Sequence, residues 1–542
     1  MCFPVGARGN TTRTAHERHG SEMRRASVIA AALVAITALP ALAHEERESR
    51  FPSGNGTVPV YRTTGPTLVV CKPDTAERVA ELPEPERSAN LTLLASCEFE
   101  HIQAAVDAVT EPGSRILVMP GVYREEPSLA EPSASCAEVS DEGVLTYEQQ
   151  EECPHNQNLI GIFGDGPDED IACDRPVCKL QIEGTGATPD DVLLDVGFTK
   201  LNGIRADRAD GIYLRNFTVQ KTEFNSIYVI ETDGFAIDRM VARWNLEYGF
   251  LTFASDHGLY VDCEAFGNGD AGVYPGSAAD HHGSRPAIEI TRCFSHHNNI
   301  GYSGTAGNSI YAHDNVFAFN GTGATMDSFF PDHPGLPQDS ARFEDNLIHS
   351  NNSNYFDNLQ DGDCDAAFGE DRDLNAIDWE GGVVCPVVQA PVGTGVLIAG
   401  GNSNVFTANH IYDNWRFGTM QHWVPAFLRD ELDPMKQYDT SHFNQYVSNA
   451  MGVSPDGELD PNGVDFWWDE EGAGNCWSGN GGGEDGISSD PAVLPSCDDM
   501  PLFSPGNPVK QALLVPCAMF DPAENPKPTA CDWMDTPSEP QP

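Results

Sequence analysis

The feature that most constrains this chain is a recurring pair of positions, Cys or Asn followed five residues later by Asn. It occurs at Cys263 and Asn268, Cys293 and Asn298, Asn315 and Asn320, Asn346 and Asn351, and Asn409 and Asn414. Earlier segments around Asn216 and Met240 fit the register less closely. From Asn216 to Met240 is 24 residues; the steps to Cys263, Cys293, Asn315 and Asn346 are then 23, 30, 22 and 31. A base period of 22 to 24 with insertions of 7 to 9 is that of a solenoid whose loops grow on one side. A propeller needs a period near 40 to 50, and a hexapeptide coil a much shorter one.

Each unit reads as short strands joined by turns, as in GLYVDCEAFGNGDAGVYPGSA from Gly258 to Ala278. Stacked units place the repeated Asn side chains above one another inside the coil, where an amide donates to one neighbour and accepts from the next. Cys263 and Cys293 are then adjacent, as a thiol pair or a disulfide. Upstream, CEFEHIQAAVDAV puts Ile102, Ala105, Val106 and Val109 on one helix face. The apolar strand RILVM and the turn Pro120-Gly121-Val122-Tyr123 follow. This helix, strand and PGVY turn resemble the N-terminal cap and first rung of pectate-lyase-like β-helix proteins. The resemblance covers residues 97 to 425 and implies an all-β fold: a single-stranded right-handed parallel β-helix with an N-terminal helical cap. It also implies carbohydrate as the ligand class. Tyr248-Gly249-Phe250 begins like the Y-G-F-D-P-H motif of mannuronan C5-epimerases but continues Leu251-Thr252-Phe253, without the acid and His. Neither a pectate lyase Ca²⁺ site nor the paired Asp signature of polygalacturonases is found.

The expected organisation is a non-mature segment 1–43, an extension 44–95, the coil 96–425 and an acidic, Cys-containing cap or accessory region 426–542. Met23 to Ala43 has a basic start, an apolar stretch too short to span a bilayer and an Ala41-Leu42-Ala43 cleavage signature. Translation from Met23, a mature start at His44 and secretion are therefore expected, with no transmembrane segment. Removing Cys2 leaves 14 cysteines, an even number. Near neighbours suggest pairing of Cys71 with Cys97, Cys136 with Cys153, Cys173 with Cys178, Cys364 with Cys385, Cys476 with Cys497 and Cys517 with Cys531. No C-x-x-C pair suggests a zinc ribbon. With 82 acidic against 31 basic residues the net charge is −51, which excludes the basic surface that nucleic-acid binding requires.

Two insertions carry the candidate chemistry, because loops on a rigid scaffold are where function concentrates. Tyr274 to Pro286 holds Asp280, His281 and His282; Met326 to Asp339 holds Asp327, Asp332 and His333. They follow equivalent strands two rungs apart, about 10 Å at the spacing of paired strands. Asp280, His281, His282, Asp327 and His333 are the expected catalytic groups. Tyr248, Tyr274, Tyr302 and Arg285 are the expected substrate contacts, and Asp280, Asp327 and Asp332 the ligands of a Ca²⁺ ion. Such a groove suits lyase, epimerase or hydrolase chemistry on a polysaccharide or cell-surface glycan by a monomer. The alternative is a non-catalytic extracellular glycan-binding or surface structural protein. Asp and His in Gly/Pro-rich loops also serve as turn residues, and His296-His297 is read as one.

Overall fold

The structure, a computed structural model, describes residues 47–139, 144–165, 172–331, 333–364, 378–429, 431–437, 441–483, 486–518 and 531–541. The expected signal segment lies outside them. A typical rung consists of Asn225–Ile230, Asp233–Asp238 and Val241–Arg243. Each strand pairs in parallel with its counterpart one rung away: Ile227 lies between Ile204 and Phe250, and Phe235 between Ile212 and Gly258. The result, among the described residues, is three parallel sheets of 11, 12 and 10 strands. The chain is a right-handed parallel β-helix.

The turn between the second and third strands of a rung explains the repeat. It contains a residue with positive φ followed by the ladder residue: Asp262 (φ 52°) before Cys263, Asp314 (55°) before Asn315, Asp345 (53°) before Asn346. Non-glycine residues adopt this conformation at a cost of roughly 1–2 kcal/mol, which the ladder offsets. The Asn346 side-chain oxygen accepts from both the amide and the Nδ2 of Asn315 at 3.0 Å, and Asn409 does the same for Asn346 at 3.0 and 2.9 Å. A second ladder runs through Asn245, Asn268, Asn298, Asn320, Asn351, Asn414 and Asn462. Cys263 and Cys293 are disulfide-bonded, and the six expected neighbour pairs also form. The early register is off by one residue. Asn216 is the positive-φ residue of its turn (56°), and buried Phe217 takes the position before Met240.

Inside the coil, like packs on like. Phe343, Phe406, Tyr446 and Trp477 are register partners whose rings stack with centroids 5.3 Å apart at each step. The helix Ile102–Asp107 buries Ile102, Ala105 and Val106 against the same core, as its periodicity predicts.

The stack reaches beyond 96–425 at both ends. Thr67–Val70 pairs with Arg115–Val118, while Gln445–Val447, Phe466–Trp468, Cys476–Ser478 and Ser489–Asp490 continue the sheets. The period fades after Trp423 because long insertions separate the late strands: Val405 and its partner Gln445 stand 40 residues apart. Residues 47–62 run across successive rungs: Arg47 bridges Asp207 and Glu231, Gly56 N–H donates to Asp233, and Tyr61 donates to Glu183. Among the described residues no helix is long and apolar enough to cross a membrane.

Candidate functional site

The insertions Tyr274–Pro286 and Met326–Asp339 emerge from strands of the eleven-strand sheet, Ala271–Gly276 and Thr322–Asp327. One strand, Ile300–Tyr302, lies between them, so they are two rungs apart as spacing predicts. They meet twice. In the interior, Tyr274 Oη and His333 Nε2 are 2.9 Å apart, while His333 Nδ1 lies 2.9 Å from the Pro331 carbonyl. A carbonyl only accepts, so a neutral His333 carries its proton on Nδ1 and takes the Tyr274 proton at Nε2. At the surface, His282 Nδ1 stands 2.9 Å from Asp280 and 3.6 Å from Asp339, and the Asp280 carboxylate also accepts the His282 amide. The His282 side chain is 83% exposed. Burial raises the Asp280 carboxyl above its ordinary value, with the Asp339 charge adding to the effect.

The other predicted residues divide differently. His281 turns away from His282 and places Nε2 3.1 Å from Asp256. Asp256 also receives both terminal nitrogens of Arg285, at 2.8 and 2.7 Å, and the His257 amide. Burial by itself would raise the Asp256 carboxyl, but the Arg285 hydrogen bonds and nearby histidines outweigh it and hold it below the ordinary range. Arg285, expected as a substrate contact, thus has both terminal nitrogens on Asp256. His257 Nδ1 lies 2.7 Å from Asp233.

Asp327 is buried and shares no hydrogen bond or ion pair with Asp280. Thr305 Oγ1 lies 2.9 Å from both its oxygens and the Phe329 amide donates to it. Burial pushes its carboxyl up to about 6. Of the expected Ca²⁺ set Asp280, Asp327 and Asp332, Asp327 is buried and engaged by Thr305 and the Phe329 amide, and Asp332 lies outside the described residues. Tyr302 points into the coil against Phe317 and Phe343 because it shares the inward register of Val273 and Ala324. Tyr248 faces the other way but is buried at 2% exposure, packed on Phe224 and Tyr274. Neither tyrosine can meet a substrate in this arrangement.

Among the described residues, two groups of side chains bring three metal-ligating atoms within 4.8 Å of one another: Asp233, Asp256 and His257, and Asp280, His282 and Asp339. The first does not suit a cation, since Arg285 already neutralises Asp256. In the second, His282 is the only basic partner among the described residues, and the Ser309 and Ser340 hydroxyls adjoin its carboxylates. Asp339, which ends the second insertion, is not among the site residues expected from the sequence. Asp233 had a legible signal in the 23-residue spacing that repeats from Asp210 through Asp233 to Asp256.

No family model matches the sequence, and no curated protein matches it. Among solved structures the chain is similar to pectate lyase Pel9A, at 12% identity over 67% of this chain and 75% of that one, with a TM-score of 0.34. It is similar to the periplasmic alginate epimerase AlgG, at 12% identity over 68% and 70%, with a TM-score of 0.36. The A-module of the Azotobacter vinelandii mannuronan C-5 epimerase AlgE4 matches at 14% identity over 72% and 94%, with a TM-score of 0.37. At these values function has to be argued from the side chains of this chain.

Proposed function

We propose that this is an exported, monomeric β-helix protein that acts on a polysaccharide at the corner where its two insertions meet. The observation that carries the reading is the convergence of Asp280, His282 and Asp339 from loops two rungs apart. An exposed imidazole oriented by one carboxylate is equipped to take a proton from a substrate carbon. Removal of a sugar proton next to a carboxylate is the shared first step of elimination and epimerisation. A divalent cation on Asp280 and Asp339 would neutralise that carboxylate, a charge that Arg285 is not free to supply. His282 holds the proton, Asp280 fixes the ring, and Tyr274 with His333 ties the second loop to the first. Hydrolysis between two carboxylates is the competing chemistry at the same corner.

The test is a panel of uronate and neutral polysaccharides with and without Ca²⁺, followed by unsaturated-product absorbance, reducing ends and epimer ratio. Turnover that drops at least a hundredfold in His282→Ala supports the reading. Binding without turnover on every substrate would replace it with the non-catalytic one, which the deep burial of Asp327 and His333 favours.

A further inference from the structure

Beyond the last rungs lies a stretch whose chemistry the coil does not explain. Acidic residues fill 82 of the 542 positions, yet the run Met500–Ala518 holds a single charged residue, Lys510. Lys510 faces inward: its ammonium donates to the Trp468 carbonyl at 2.7 Å and lies 2.9 Å from Asp490. What the run turns outward is apolar. Leu502 is 94% exposed, Phe503 76%, Val509 70% and Leu513 62%. Exposed apolar residues scattered singly are ordinary, but a group of them on an uncharged stretch marks a contact surface. Phe503 and Val509 are close in the chain, within about 20 Å even at full extension, so they belong to one patch.

The patch is rigidly presented. The loop carrying Leu502 and Phe503 is tied on both sides: Gly474 N–H donates to the Pro501 carbonyl at 2.7 Å and Gly472 N–H to the Ser504 carbonyl at 3.2 Å. In the helix Pro508–Ala518, Lys510, Leu514 and Cys517 fall at i, i+4 and i+7 and pack inward, the last two against the Met420, Val424 and Trp533 cluster. A surface helix normally puts polar residues on its other face; here the i, i+4 pair Val509 and Leu513 is exposed instead. Near-complete exposure means that Leu502 and Phe503 stand clear of the surface around them, so the patch is convex. A protein partner would need a matching concavity, whereas a lipid interface accepts projecting Leu and Phe side chains without one. Charge points the same way. Two copies at −51 each repel, and so does an anionic headgroup layer, which leaves a neutral lipid surface as the occupant. Among the described residues no helix is long and apolar enough to cross a membrane, so the contact is peripheral.

We propose that Leu502 and Phe503, together with Val509 and Leu513, seat this protein on a neutral phospholipid surface. The patch shares no residue with the Asp280–His282–Asp339 corner and does not depend on the function proposed for that corner. Full-length protein is mixed with phosphatidylcholine vesicles, with and without added phosphatidylglycerol, and the bound fraction is read by flotation at low and physiological salt. Wild type should float with phosphatidylcholine. Leu502→Glu/Phe503→Glu should keep the wild-type melting temperature, because both side chains are in solvent, and bind these vesicles more weakly by about tenfold or more. Phosphatidylglycerol should lower wild-type binding, most strongly at low salt. Wild type that stays unbound on phosphatidylcholine, or a double variant that floats like wild type, overturns the proposal, as does binding that rises with phosphatidylglycerol. A wild-type dimer seen by light scattering, lost in the double variant and accompanied by no vesicle binding, would make the patch a contact between copies instead.

Discussion

Asn320→Ala tests the ladder at its centre. The Asn320 oxygen accepts from the Asn298 amide at 2.9 Å and from Asn298 Nδ2 at 3.1 Å, while its Nδ2 donates to the Ser295 carbonyl and to Asn351 at 3.1 and 3.0 Å. Some of these partners survive the deletion: Asn298 Nδ2 keeps the Ala265 carbonyl and Ser295 Oγ, and Asn351 Oδ1 keeps the Asn320 amide. Two groups lose their Asn320 partner, the Asn298 N–H and the Ser295 carbonyl. Ser295 lies in a strand paired on both sides, so the Asn298 N–H is the group left unsatisfied, and at about 1–3 kcal/mol for such a group the variant should lose about that much. Asn480, the last residue of the other ladder among the described residues, accepts from the Asn449 amide and Nδ2 and donates to the Tyr446 carbonyl, but it is only half-buried, so water can replace these bonds and Asn480→Ala should lose about 1 kcal/mol. Urea unfolding gives both values, and amide exchange should show Asn298 N–H losing protection in Asn320→Ala alone. Equal losses in the two variants would refute the reasoning. So would strict additivity of Asn298→Ala with Asn320→Ala, since contacting residues in one network must couple.

Three further outcomes follow from the site. Asp327 has its carboxyl raised to about 6, so its protonated form contributes stability below the ordinary value that is lost as pH rises through about 6. Asp327→Asn should then match wild type near pH 4 and exceed it above pH 7 by up to about 3 kcal/mol, read from denaturation midpoints. Asp256 is shifted the other way; Arg285→Ala should cost about 1 kcal/mol at pH 7, a cost that shrinks below the ordinary Asp value and vanishes only once pH has fallen through the lowered folded value, and a penalty that persists in stronger acid would show that packing, not charge, is lost. Tyr274→Phe removes the hydroxyl that meets His333 Nε2 and should destabilise by about 1 kcal/mol in thermal unfolding; no change would mean the two loops are held together elsewhere.

The coil was legible because its constraint is local and repeated. Every rung must make the same turn through a positive-φ residue, and Asn at Asn315, Asn346 and Asn409 satisfies it by the same hydrogen bonds. The register slipped only where Phe217 and Met240 replace the polar ladder with apolar packing. The site was legible at the level of loops and not of side chains. Matching insertions located the corner, but whether His281 joins His282 or turns to Asp256 depends on a two-residue backbone reversal with no composition signal. Tyr302 and Tyr274 look alike in sequence, yet strand alternation sends one into the core and leaves the other facing out beneath the loops.

The seven disulfides close sequence intervals of 5 to 30 residues. Each interval ends before the next begins: Cys97 precedes Cys136, Cys153 precedes Cys173, and so on to Cys531. The bridges therefore form a queue without crossings. A chain entering an oxidising compartment from its N-terminal end can complete each one as its second cysteine arrives, with no earlier thiol left waiting for a distant partner. In such a compartment oxidation could keep pace with delivery, rung by rung.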